Sequence, residues 1–151
     1  MGRKCMYKVV DIVDLEIGDM LIMKYIYKGA VCSDLGTIRN FVEKTISTLK
    51  EQISNNDILF DIKVILSELI VNGALHGNEC MTSKCISLTL KMDDNKLIIE
   101  VEDEGEGIEY NLKEYDSKDL KSFGRGLVIV NGLSDEFYVK NNKAIAIKNI
   151  I

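Results

Sequence analysis

The stretch 65–77, ILSELIVNGALHG, constrains the fold most, because a polar stripe interrupts an otherwise apolar helical pattern. Glu68, Asn72 and His76 recur every four residues, which places them on one side of an α-helix. A carboxylate beside an amide oxygen suits a hydrated metal ion, a phosphate or a proton transfer. A helix edge that meets solvent explains this stretch, taken alone, at least as well.

Length and charge limit the classes of protein to which the chain can belong. With 151 residues it is large enough for one domain whose core needs no disulfide or structural metal. Its 24 acidic residues outnumber its 19 basic residues, and the basic ones are scattered, which argues against direct nucleic-acid binding. Because the sequence shows neither a leader-like segment nor a run of about 18 apolar residues, we expect a soluble cytoplasmic protein with no membrane partner.

The cysteines, Cys5, Cys32, Cys80 and Cys85, form no C-x-x-C pair, so reduced thiols are expected. A zinc site built from His76, Cys80 and Cys85 would need ligand spacings that match no common zinc motif. Structural metal therefore has little support in this pattern.

Apolar periodicity and turn signals predict a single domain of alternating strand and helix groups. The predicted order is strands 5–13 and 20–28 in a hairpin, helices 35–53 and 57–77, strands 86–92 and 97–103, a helix from Leu127, and strands 135–140 and 144–150. The sum predicts an α+β fold, a two-layer sandwich in which a mixed, mainly antiparallel sheet carries its helices on one face.

Asp103 is a second polar residue on an apolar face. The side-chain period of a strand is two, so Asp103 falls on the same face as Leu97, Ile99 and Val101 and points inward at the strand end. A carboxylate at the rim of a core needs a hydrogen-bond donor. The glycines at 105 and 107 would let a ligand approach the backbone closely.

A glycine-rich helix start follows a polar loop. Residues 108–123 lack an apolar period and are predicted to form a mobile loop, which ends at Gly124-Arg125-Gly126. The apolar run that begins at Leu127 predicts a short buried helix. Free amides at a helix start, together with the helix dipole, make an anion site.

These three signals, in this order, resemble the GHKL (Bergerat-fold) ATP-binding superfamily. The run Leu66-Ser67-Glu68…Asn72…His76-Gly77-Asn78 looks most like the anti-sigma factor serine kinases of sporulation and stress response. The resemblance covers roughly residues 30 to 140. A dinucleotide fingerprint fits poorly because the third glycine is missing, and an EF-hand loop fails on its spacing.

The resemblance implies a role for each residue of the helix and strand motifs. Asn72 matches the magnesium ligand, and Glu68, one turn earlier, matches the general base of phosphoryl transfer. Asp103 matches the carboxylate that accepts from the adenine amino group, with Gly105 and Gly107 leaving room for the base.

The remaining implied contacts lie around the phosphates. Gly124, Arg125 and Gly126 match the second glycine box, whose amides hold phosphate, and Leu127 follows in the same cofactor-binding set. Residues 108–123 match the ATP lid. His76 is either a helix-end histidine bonded to a backbone carbonyl or a residue that approaches the phosphates.

The family likeness implies an enzyme with ATP and Mg²⁺ as cofactors. The implied activity is that of a protein serine/threonine kinase and anti-sigma factor, which binds a sigma factor, phosphorylates an anti-sigma-factor antagonist and forms a homodimer. An alternative is a nucleotide-dependent partner-binding module with little kinase activity. It is motivated by the turn 141–144, which reads NNKA where the superfamily usually has a Gly-Thr pair. The ATPase domain of a histidine kinase fits less well, because no helix with a phospho-acceptor histidine precedes residue 30.

Overall fold

A sheet of six strands is covered by three helices in the computed structural model, which describes residues 13–17, 20–79, 81–105 and 122–151. The elements are β1 Val13–Ile17, β2 Met20–Cys32, α1 Leu35–Leu49, α2 Asn56–Asn72, a π-helical turn Gly73–Gly77, β3 Cys85–Asp93, β4 Lys96–Glu102, α3 Ser122–Leu133, β5 Glu136–Lys140 and β6 Lys143–Asn149. The predicted α+β class is confirmed.

The strand order is β1-β2-β3-β4-β6-β5, and each of the neighbouring pairs is antiparallel. The sequence predicts a mixed, mainly antiparallel sheet, and among the described strands no parallel pair occurs. Two-residue turns account for part of this, because Asp94 and Asn141 adopt positive φ angles of 50° and 55° and reverse the chain at once.

The core lies on one face of the sheet. In β4, Leu97, Ile99 and Val101 are buried, whereas the alternate residues Ile98 and Glu100 are only partly covered. The same alternation runs through β3, where Ile86, Leu88 and Leu90 are buried. Because the inward residues of the strands and the apolar faces of the helices form one cluster, the helices pack on this face as predicted.

Helix α2 carries the polar stripe and contacts both α1 and α3. Its start is set by Asn55, whose side chain accepts hydrogen bonds from the amides of Asp57 and Ile58. Its end widens into the π-helical turn, which the Asn78 amide closes by donating to the Gly73 carbonyl over 2.8 Å. The stripe therefore ends in an irregular turn beside the ends of β3 and β4.

Several predicted boundaries are wrong. Helix α1 ends at Leu49, four residues before the predicted end at 53. Helix α3 begins at Ser122 and not at Leu127, so Gly124, Arg125 and Gly126 lie inside the helix and not ahead of it. Glycine usually marks a helix boundary, but here α3 packs on α2 and this contact offsets the low helix propensity. Strand β2 continues to Cys32, four residues past the predicted end at Lys28, because it pairs with β3 along that length.

The antiparallel pairing of the N-terminal hairpin is confirmed, but β1 continues to Ile17, past the predicted strand end at residue 13. Most of the predicted first strand, 5–13, falls outside the described residues.

Cys32 is disulfide-bonded, which corrects the expectation of reduced thiols, while Cys85, opposite it in the register, is free. Sequence spacing carries no information on which cysteines meet in the fold. In the described part of the chain, no helix is long and apolar enough to cross a bilayer.

Candidate functional site

A cavity of about 590 Å³ opens where the π-helical turn meets the end of β4, the middle of α3 and the turn between β5 and β6. This volume is within the range of small-molecule sites, about 300–1,000 Å³. Its lining consists of Leu69, Asn72, Gly73, His76, Gly77, Glu79, Met81, Lys84, Val101, Asp103, Gly105, Leu127, Val139, Asn141, Asn142, Lys143 and Ala144. We call it the large cavity.

Asp103 is half-buried and lines this cavity. Its Oδ1 accepts a hydrogen bond of 2.8 Å from the Gly105 amide. Burial raises the pKa of Asp103 above its ordinary value, and the charge of Glu102 adds to the rise, while the Gly105 amide and the charge of Lys84 act against it. The carboxylate thus sits in a partly desolvated position with oxygen lone pairs left for a ligand.

Two glycines pack directly on Asp103. A Cβ atom at Gly77 would overlap both carboxylate oxygens, and a Cβ atom at Gly105 would overlap the Gly77 carbonyl. The resemblance assigns Gly105 the task of leaving room for a base, whereas the packing requires glycine there because two backbone segments meet. Gly107 lies outside the described residues.

Asn142 closes the cavity on the other side of Asp103. The Asp103 amide donates to the Asn142 carbonyl over 3.1 Å, and Asn142 Nδ2 donates to the Asp103 carbonyl over 2.6 Å. The turn in which the superfamily usually has Gly-Thr is therefore fastened to the end of β4 by an asparagine. The sequence contains no signal for this contact, because the partners are 39 residues apart.

A second cavity of about 220 Å³ lies beside the first, between α2 and α3. Its lining consists of Glu68, Val71, Asn72, Leu75, His76, Arg125, Gly126 and Ile129. We call it the small cavity. Asn72 and His76 line both cavities, whereas Glu68 lines only the small one. Part of the predicted polar stripe, Asn72 and His76, therefore forms a wall that the two cavities share.

The glycine box and the residue after it line different cavities. Leu127 is buried and lines the large cavity, while Gly126 and the exposed Arg125 line the small one. The amide of the fourth residue of a helix already donates to the N-cap carbonyl, as Ile38 does in α1 and Leu59 in α2, and Arg125 is the fourth residue of α3. Gly124 is thus the glycine-box member whose amide is free in a regular helix.

Gly126 has a steric role that the sequence does not reveal. A Cβ atom there would overlap Glu68 Oε2. Glycine at position 126 therefore lets α3 approach the Glu68 side chain, which the sequence could not indicate because the two residues belong to separate helices.

The structure gathers most of the predicted site residues. Around the large cavity it brings Asn72, His76, Asp103, Gly105 and Leu127 together, and Glu68, Arg125 and Gly126 join Asn72 and His76 at the small one. Residues 106–121, most of the predicted lid, lie outside the described residues. Within the described ranges no group of three His, Cys, Asp or Glu side chains could hold a metal ion.

Comparison with known proteins gives two independent findings. Residues 30–148 match a family model described as a histidine kinase-like ATPase domain. The chain is also similar to curated proteins named anti-sigma F factor. The protein of Clostridium perfringens (strain SM101 / Type A) is 37% identical over 97 residues, which cover 59% of this chain and 69% of the relative. That of Clostridium acetobutylicum is 30% identical over 121 residues, covering 76% and 78%. That of Shouchella clausii is 30% identical over 113 residues, covering 71% and 77%.

The family match takes in the whole of the helix, strand and glycine motifs that line the two cavities. The relatives extend the likeness to proteins of one named type. The chain therefore belongs to the histidine kinase-like ATPase family of GHKL type, in the group that includes the anti-sigma F factors.

Proposed function

We propose that this protein is an ATP- and Mg²⁺-dependent protein serine/threonine kinase that acts as an anti-sigma factor. The observation that carries the proposal is the partition of the site: Asn72 and His76 face both cavities, and Glu68 faces the small one alone. A kinase needs a nucleotide and an acceptor hydroxyl on opposite sides of the transferred phosphoryl group. Two adjoining cavities with shared polar walls suit that requirement.

The large cavity would hold ATP. Leu69, Val101 and Leu127 offer apolar surface to the purine, and Asp103 is a carboxylate that can accept from the exocyclic amino group. The phosphates would then extend toward Asn72 and the start of α3. Members of this family are ATP-binding domains, so the family match supports the same ligand.

Asn72 would hold Mg²⁺ through its amide oxygen. Magnesium binds few protein ligands when it also binds substrate phosphates, and it keeps several waters. The donor set fits this mode, because the described residues place an amide oxygen on the wall that both cavities share and no acidic cluster around it. When bound, the ion would neutralise charge that develops on the phosphates.

Glu68 would act as the general base from the small cavity. An acceptor serine or threonine hydroxyl that enters there would meet the carboxylate on one side and the γ-phosphate beyond Asn72 on the other. The apolar walls at Val71, Leu75 and Ile129 suit a protein side chain more than they suit water.

The partners follow from the relatives. Proteins named anti-sigma F factor are by name antagonists of a sigma factor, and we propose that this chain likewise binds a sigma factor. The phosphate acceptor would be an anti-sigma-factor antagonist, and the chain would act in the cytoplasm as a homodimer.

Nucleotide titration and label transfer test the proposal together. We expect ATP to bind more tightly with Mg²⁺ than without it, and γ-labelled ATP to label a serine or threonine of a protein that co-purifies from the native cell. Glu68→Gln should keep ATP affinity and slow the transfer about 100-fold or more, because the base is lost while the nucleotide contacts stay. The matched control is Glu51→Gln, an exposed carboxylate away from both cavities, which should transfer normally.

Two outcomes would contradict the proposal in different ways. No ATP binding by the wild-type protein would remove the nucleotide role altogether. ATP that binds and stays intact with every co-purified partner would instead favour the partner-binding module, in which the nucleotide only stabilises a binding conformation.

A further inference from the structure

Asn78 is a fully buried polar residue just beyond the π-helical turn. We infer that Asn78 is a positioning residue. It holds the Asp103–Gly105 segment and thereby supports recognition of the nucleotide base, through Asp103, in the large cavity. The effect on base recognition rests on the proposed nucleotide function. The anchoring of the segment rests only on hydrogen bonds among described residues.

The side chain of Asn78 joins three separate parts of the chain. Its Nδ2 donates to Ser33 Oγ and to the Cys85 carbonyl, both over 3.0 Å. Its Oδ1 accepts from the Glu104 amide over 2.7 Å. Both N–H groups of the amide are thus used, and the oxygen is bound by a backbone donor. The residues it joins lie at the end of β2, the start of β3 and just beyond β4.

Glu104 is the member of this set that leads to the site. It lies between Asp103 and Gly105, so fixing its amide fixes the peptide that follows the Asp103 carboxylate. The Glu104 carboxylate also accepts from the Cys85 amide, which ties the same residue to β3 a second time. Asn142 bonds the amide and the carbonyl of Asp103, so the main chain at 103–104 is held by two asparagines.

Asparagine suits position 78 better than its near relatives do. Aspartate would keep the acceptor for Glu104 but lose both donors and bury a charge. Alanine would leave the buried Ser33 hydroxyl, and the part-buried Glu104 amide and Cys85 carbonyl, without this partner. The main-chain bond from Asn78 to Gly73 would survive either change, because it uses only the backbone.

The inference predicts that Asn78 affects base recognition and leaves phosphate binding alone. Asp103 depends on the Glu104 anchor, whereas Asn72 and the start of α3 have no hydrogen bond with the Asn78 side chain. Asn78→Ala should therefore weaken the binding of Mg-ATP about tenfold or more, while the affinity for inorganic tripolyphosphate with Mg²⁺ should stay within about twofold.

Ser33→Ala is the matched control. It removes the Ser33 arm of the same network and leaves the bond between Asn78 and Glu104 in place. We expect a less stable protein with ATP affinity within about twofold of the wild type. Equal loss of ATP affinity in both variants, or equal weakening of ATP and tripolyphosphate in Asn78→Ala, would show a merely structural residue and overturn the inference.

Amide hydrogen exchange tests whether Asn78 anchors Glu104, and it needs no nucleotide. Part of the test uses the wild-type protein alone. The Glu104 amide should exchange slowly in the wild type and lose its protection in Asn78→Ala but not in Ser33→Ala. A wild-type Glu104 amide that exchanges as fast as an unbonded one overturns the inference even if Asn78→Ala does not fold. A wild-type protein that binds no ATP but protects Glu104 would instead defeat the proposed function and keep the anchoring role of Asn78.

Discussion

The Glu68 carboxylate lies against the backbone of Gly126, so that any side chain at position 126 would overlap Glu68 Oε2. The two residues come from different helices, and their contact sets how closely α3 approaches the polar stripe of α2. The glycine at position 126 thus provides space for the proposed base.

Gly126→Ala should impair phosphoryl transfer more than nucleotide binding. The new methyl group has to displace the Glu68 carboxylate, and a small misplacement of a catalytic group costs about 100-fold in rate. We expect the rate of label transfer to fall by about this factor, with the Kd for Mg-ATP within about threefold of the wild type.

Gly132→Ala is the matched control in the same helix. No atom lies within 4 Å of the position that its Cβ would occupy. Because alanine favours a helix over glycine, we expect a gain of about 0.5–1 kcal/mol in the free energy of unfolding and unchanged transfer. Equal losses of transfer in the two variants would contradict the steric role of Gly126.

Gly77 and Gly73 form a second pair of test positions, because only a side chain at Gly77 would overlap the Asp103 carboxylate. A Cβ atom at Gly77 would overlap the Asp103 carboxylate, whereas one at Gly73 would lie 3.6 Å from the nearest atoms of Asp103 and Ile86, an ordinary contact. Gly77→Ala should lower the free energy of unfolding by about 1–3 kcal/mol and weaken ATP binding at least about tenfold.

Gly73→Ala should change the free energy of unfolding by less than about 1 kcal/mol, because its methyl group would not displace the Asp103 carboxylate. Urea unfolding and nucleotide titration of both variants measure the difference. Similar behaviour of the two variants would mean that the Asp103 carboxylate can move away from Gly77 at little cost. It would contradict the claim that packing on Gly77 fixes the position of this carboxylate.

Local signals in the sequence predict much of the fold. Asp34 caps α1 by accepting a hydrogen bond from the Thr37 amide three residues ahead, and such a contact leaves a composition signature. The alternation in β3 and β4 predicts both strands and the inward face that ends at Asp103.

Contacts between distant segments could not be predicted. Asn78 and Glu104 are 26 residues apart, and Asn142 and Asp103 are 39 apart, so no short-range pattern marks them. The start of α3 was misplaced for a related reason: Gly124 and Gly126 have the composition of a helix boundary, whereas packing on α2 makes them helical. A single sequence shows which residues are unusual, and only the fold shows what they contact.

The stability of the protein should depend on pH through Asp103. Burial raises the pKa of this carboxyl in the folded state above its ordinary value of 3.8. The folded state therefore holds the proton more tightly than the unfolded state, so the stabilisation from protonated Asp103 is complete below pH 3.8 and is lost as the pH rises through the folded-state pKa.

Asp103→Asn removes this titration and keeps an oxygen that can accept from the Gly105 amide. Relative to the wild type, the variant should gain in free energy of unfolding as the pH rises from 3 toward neutrality, about pH 7, and the difference should then level off. Urea unfolding at a series of pH values measures it. A stability difference that shrinks with rising pH would contradict the predicted direction of the pH dependence.

The same substitution should weaken Mg-ATP binding about tenfold or more, because the amide cannot fully replace the carboxylate as an acceptor.

The acceptor side of the site can be tested with two neighbouring residues of α3. Ile129 and Val128 are equally exposed, at 41% and 40%, but only Ile129 lines the small cavity with Glu68. If the acceptor segment enters there, it covers Ile129 and leaves Val128 in solvent. Because burial of an isoleucine side chain is worth about 1.5–3 kcal/mol, Ile129→Ser should raise the KM for the protein acceptor about tenfold.

Val128→Ser should leave that KM unchanged, since it removes a similar apolar surface outside the cavity. Neither substitution should alter the Kd for Mg-ATP, because neither residue lines the large cavity. Steady-state label transfer at varied acceptor concentration separates KM from kcat. An equal rise of KM in both variants would indicate a broad apolar docking face on α3, and no rise in either would mean that the acceptor reaches Glu68 by another route.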